Sequence, residues 1–90
     1  MIDVKQAVKI AHAYIIDLYG EANLPGLMLE ETELSDEHKY WMITFGFDTD
    51  RKTVPDTSFF RPTPLFIRDY KIIKIEAETG EVESMMIRQL

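Results

Sequence analysis

The stretch Tyr70–Arg88, YKIIKIEAETGEVESMMIR, decides the fold. Ile72, Ile73 and Ile75 on one side, and Val82, Met85, Met86 and Ile87 on the other, flank Glu78-Thr79-Gly80-Glu81. Gly80 supplies a residue able to take positive φ in the reversal, so two strand-forming runs joined by a turn read as a β-hairpin. On this hairpin Ile73, Ile75, Ala77 and Val82 fit an inward face, which leaves Tyr70 and Ile72 outward. Met85 and Met86 are adjacent, so one of them must point outward too.

The chain before the hairpin supplies the partners for that face. Tyr40–Phe47 alternates: Trp41, Ile43, Phe45 and Phe47 fall on one side, Tyr40, Met42, Thr44 and Gly46 on the other. Leu27–Leu34 is a further strand whose alternation is broken by Glu30-Glu31, and Ser35-Asp36-Glu37-His38 supplies turn residues between the two. Asp3–Tyr19 reads as an amphipathic helix with Val4, Ala7, Val8, Ala11, Ile15 and Leu18 in one stripe, widened by Ile10, Tyr14 and Ile16. Asp3 and Gln6 have capping-box spacing, Gly20 falls at the helix stop, and Pro25 prevents resumption. Asp48–Pro64 holds Pro55, Pro62 and Pro64 and reads as a long irregular segment carrying Phe59-Phe60, which either fold back over the core or face a partner. The expected fold is α+β: one N-terminal helix packed on a four-stranded antiparallel meander sheet, with residues 1–90 as a single domain.

Size and charge set further bounds. Ninety residues bury roughly 60–65% of the unfolded chain's surface, enough for a thin core, and 46% hydrophobic residues with ten aromatics argue against disorder. With no cysteine, stability rests on packing, which fits a reducing cytoplasm. Asp3 interrupts the N-terminal residues, which do not read as a signal peptide, and no stretch nears the roughly 20 apolar residues of a membrane span. The net charge of −6 is uneven: residues 1–50 hold ten acids and three bases, residues 51–90 six acids and seven bases. Glu30, Glu31, Glu33, Asp36 and Glu37 form its peak. Such a surface repels nucleic acid and attracts a basic protein.

The helix, the Trp-bearing alternating strand and the run Tyr-Lys-Ile-Ile-Lys-Ile closing in Ala77-Glu78-Thr79-Gly80-Glu81-Val82 resemble PepSY-like domains. The layout is also similar to that of small bacterial immunity-type proteins. The resemblance covers most of the chain outside Asp48–Pro64. It implies a cystatin-like wrap of sheet around helix and a role in binding or inhibiting another protein.

Chemistry-bearing patterns are sparse. His12 and His38 have no spacing that pairs them, and Ser35, Ser58 and Ser84 lack a nucleophile-elbow setting. The four glycines are scattered rather than gathered into a phosphate loop. Read as a calcium loop, Asp48-Thr49-Asp50 fails, with Lys52, Thr53 and Phe59 where an oxygen ligand, Gly and Glu are needed. The expectation is therefore a non-enzyme without cofactor or metal. Its partner-binding candidates are Glu30, Glu31, Glu33, Tyr40, Met42, Tyr70, Ile72, Phe59 and Phe60, toward a basic protein or a second copy in a homodimer. The alternative is a small-ligand pocket between helix and curled sheet, lined by Tyr14, Trp41 and Phe45.

Overall fold

The computed structural model describes residues 1–49 and 67–88. Helix α1 spans Val4–Tyr19, a single 3-10 turn covers Glu21–Asn23, and four strands follow: β1 Met28–Leu34, β2 Tyr40–Thr49, β3 Ile67–Glu76 and β4 Val82–Ile87. The strands pair antiparallel in the spatial order β1-β2-β3-β4, with α1 across one face. This is the α+β meander expected from the sequence.

Local chemistry sets the helix ends. Asp3 adopts extended backbone and its carboxylate accepts from the Gln6 N–H (2.8 Å), while the Gln6 side chain accepts from the Asp3 N–H (2.9 Å). This reciprocal box satisfies donors that an uncapped first turn leaves orphaned. Gly20 closes the other end, its N–H donating to Ile16 (2.7 Å). The preceding residue ties the helix to the sheet: the Ile2 N–H donates to Ala77, and its carbonyl accepts from Trp41 Nε1 (3.1 Å).

The buried stripe of α1 is Ala7, Ala11 and Ile15, flanked by half-buried Val8, Ile10, Tyr14 and Ile16. Small residues at the centre let the helix approach the sheet closely. Across the sheet the inward rows are Trp41, Ile75 and Val82, then Ile43, Ile73 and Met85, as the pairing register dictates. Ile15, Ile43, Ile73 and Ile75 are the largest fully buried side chains. Farther along β3 the inward positions become polar (Lys71 and Asp69), opposite Phe45 and Phe47. There Tyr19 covers Phe47 with ring centroids 6.2 Å apart, and buried Leu24 joins the cluster from the segment after the helix.

Three details depart from the sequence reading. Leu18, placed in the core stripe by its spacing, is 53% exposed. The burial is carried instead by Ile15, Leu24 and Leu27. Strand β2 runs two residues past Phe47, so Asp48 and Thr49 belong to the sheet. The remainder of the proline-rich segment, with Phe59 and Phe60, lies outside the described residues. Finally, the alternation broken at Glu30-Glu31 is a β-bulge within β1: Leu29 opposes Phe45, Glu31 opposes Thr44, and Glu30 is the extra residue.

The turns are set by backbone need. Gly80 has φ +79, a conformation that favours glycine, and a Cβ there would press on Ile10 Cδ1 of α1 at 3.1 Å. In the β1–β2 turn the αL position falls to His38 (φ 57), while the Ser35 hydroxyl accepts from the Lys39 and Tyr40 N–H groups.

Candidate functional site

The sheet face away from α1 is built from alternate residues of every strand. Register places Glu31 and Glu33 on β1 and Tyr40, Met42, Thr44, Gly46 and Asp48 on β2 there. They are joined by Arg68, Tyr70, Ile72, Lys74 and Glu76 on β3, and by Ser84 and Met86 on β4. Of the partner-binding candidates, Tyr40, Met42, Tyr70 and Ile72 share this face and are half-buried, and Met86 is the outward member of its pair at 42% exposure. Met85 turns inward against the core. Lys74 places its ammonium 4.1 Å from the centroid of the Tyr40 ring, so one edge of the apolar band is capped by a cation–π contact.

The acidic candidates are less free than their run in the sequence implies. The bulge brings the successive carboxylates Glu30 and Glu31 to the outer face. Arg68 donates from Nη2 to Glu30 Oε2 (2.9 Å) and to the Gly26 carbonyl (3.2 Å), and from Nη1 to Asp48 Oδ1 (2.9 Å). Glu31 pairs with Arg88. Glu33 is exposed. The Arg68 guanidinium is held above its ordinary value, chiefly by the hydrogen bond to Glu30; burial opposes this, and the hydrogen bond and charge of Asp48 add to it. It therefore stays charged across all working pH. Asp48, tested in the sequence as a cation ligand, serves this arginine instead.

Gly46 makes the arrangement sterically feasible. A Cβ at this position would lie 2.5 Å from Glu30 Oε2, 3.0 Å from Tyr70 Cε1 and 3.1 Å from Arg68 Nη2. The glycine thus clears the sheet surface for a guanidinium, a carboxylate and a tyrosine ring. Beside them Glu30, Glu31, Thr44, Tyr70 and Arg88 line an open hollow of about 270 Å³, with Thr44 only 2% exposed. A second hollow of about 530 Å³ is lined by Glu37, His38, Lys39, Tyr40, Glu76 and Glu78 with Met1.

Sequence reasoning missed Arg68, Gly46 and Arg88. Their partners lie 20 to 42 residues away for Arg68, and no local spacing announces such contacts. The one available signal was a glycine inside a strand pattern, which marks a bulge or a close approach. His12 packs its ring against Phe45 (5.9 Å), whereas His38 sits in the β1–β2 turn, so the two histidines occupy separate sites. Among the described residues no group of three or more His, Cys, Asp or Glu could hold a metal ion, and no helix is long and apolar enough to cross a membrane.

Helix, meander sheet and outer face define a small helix-on-sheet α+β module. Compared with models of known protein families, with curated proteins and with solved structures, the chain matches none.

Proposed function

We propose that this chain is a non-catalytic protein-binding module that engages a basic partner with the sheet face opposite its helix. The observation that carries the proposal is the outer face itself. Tyr40, Met42, Tyr70, Ile72 and Met86 form an apolar band along one border of which run the carboxylates of β1, and no described element lies across it. Aromatic residues and methionine are enriched in protein contacts, and a carboxylate border steers a partner of opposite charge. Among the described residues Glu33 is the acid of that border without an ion pair, while Glu30 and Glu31 fix its shape through Arg68 and Arg88. An inhibitory, immunity-type or PepSY-like role, and a cytoplasmic setting, are finer forms of the same proposal. The roles rest on the sequence resemblance carried by the Trp41 strand and the run Tyr70–Val82, and the setting on the absence of cysteine, which fits a reducing compartment.

The test is capture from extracts of the native host with wild type and with Met42→Lys and Glu33→Lys variants. Met42 and Glu33 lie opposite each other across β1 and β2, so both changes alter the surface and leave the core untouched. The wild type is expected to retain a basic protein that both variants lose. Equal capture by all three would refute the outer face as the contact.

The pocket reading has no observation in its favour. Phe45 is 2% exposed with its ring against His12, Trp41 commits its indole N–H to Ile2, and Tyr14 packs on the same cluster.

A further inference from the structure

Strand β4 forms one border of the sheet and pairs, among the described residues, with β3 alone. The Arg88 N–H donates to Tyr70 (2.9 Å), which fixes the alternation of its main chain. Residues 84, 86 and 88 turn their N–H and C=O groups toward β3, so those of Met85 and Ile87 point away from the sheet. A free row of alternating donors and acceptors is satisfied by another β-strand.

The two borders are treated differently by the sequence. β1 carries a bulge and three glutamates, the devices that keep an edge from pairing. β4 has its own bulge at Glu83, where the register jumps between Val82 and Ser84. Beyond it, Ser84-Met85-Met86-Ile87 holds no charge, with Met86 at 42% and Ile87 at 71% exposure.

We propose that β4 is a self-association edge: two copies of this chain pair β4 to β4, antiparallel, about a two-fold axis at Met86, making one eight-stranded sheet. This register matches itself on both faces. Met86 meets its own copy on the outer face, Met85 meets Ile87 on the inner face, and Ser84 meets Arg88. Met85 and Ile87, whose main-chain groups point outward, form the hydrogen-bonded pairs, as the alternation demands. Like charges do not oppose each other within residues 84–88. The arrangement also puts the two acidic β1 edges at the far ends of the combined sheet, which is where chains of net charge −6 repel least. Of the outer-face band, the contact uses Met86 alone.

The experiment joins sedimentation over a concentration series with a disulfide trap, which the absence of native cysteine makes clean. Wild type is expected to dimerise with rising concentration, and Ile87→Lys to weaken the dimer about tenfold or more with unchanged far-UV circular dichroism. At a non-hydrogen-bonded antiparallel pair the Cα atoms lie about 4.5 Å apart, within disulfide range. Met86→Cys is therefore expected to cross-link to its own copy under mild oxidant, and Glu33→Cys on β1 is not. A wild type that stays monomeric up to its solubility limit overturns the proposal. So does a dimer indifferent to Ile87→Lys, or one in which Met86→Cys fails to link. A dimer dissociated by Met42→Lys but not by Ile87→Lys transfers self-association to the outer face. Equal capture by wild type, Met42→Lys and Glu33→Lys, alongside an intact β4 dimer, overturns the outer-face reading alone.

Discussion

Gly46 stands in the middle of β2, where a glycine contributes no packing and weakens a strand, yet the space above it is filled by Glu30, Tyr70 and Arg68. Adding one methyl must therefore move something. The carboxylate and guanidinium are ends of flexible side chains, but each is anchored by the other, and the Tyr70 ring cannot shorten. Gly46→Ala is expected to cost about 1–3 kcal/mol, the range for overfilling a packed site, read as a lower midpoint in urea. Removing the obstructing carboxylate first should relieve part of the clash. Glu30→Ala combined with Gly46→Ala is thus expected to cost less than the sum of the two alone, and strict additivity would show that they do not share the space. Beyond a glycine inside a strand pattern, nothing in the sequence announced that these residues meet. Their contacts join residues from the loop before β1 to β3, and the glutamates that looked like a free acidic run are half consumed by arginines.

Elements were far more legible, because their signals are local. The Asp3–Gln6 box spans three residues and is visible as a spacing, as is the alternation of Trp41, Ile43, Phe45 and Phe47 that fixes which face of β2 is buried. Leu18 shows where such reading stops. Its position on the helical stripe is right, but burial depends on what the sheet places beneath the last turn, and there the chain uses Leu24 and Leu27. The bulge in β1 was present in the sequence as a broken alternation without its meaning: an extra residue that turns two successive glutamates to one face. The helix start yields a direct measurement. Asp3→Ala deletes the acceptor for the Gln6 N–H and is expected to destabilise the protein by about 0.5–2 kcal/mol. Asp3→Asn, which keeps a side-chain oxygen, should recover most of that in the same denaturation experiment. An equal loss in both variants would mean that the Ile2 bonds to Ala77 and Trp41, not the cap, position the helix start.

For the molecule as a whole, the question is whether the described elements melt as one. The buried cluster draws Ala7, Ala11 and Ile15 from the helix, Ile43, Phe45 and Phe47 from β2, and Ile73 and Ile75 from β3, with Val82 and Met85 of β4 packed against it. No element holds a core of its own. Ile73 is the natural place to test this, since it is fully buried between Ile43 and Met85 on the inner face. Ile73→Ala removes that contact and leaves a void, at an expected cost of about 2–5 kcal/mol against a total of about 5–15 kcal/mol for a small domain. Trp41, the sole tryptophan, reports on the join between helix start and β2, whereas far-UV circular dichroism reports on all elements together. If a single cluster holds them, the two signals trace the same transition in wild type and move together in Ile73→Ala, because neither the join nor the strands can persist once the cluster is lost. Fluorescence surviving to higher denaturant than the circular dichroism would instead reveal a helix–β2 unit able to outlast the β3–β4 hairpin. The hairpin would then be an attachment to the fold and not its centre.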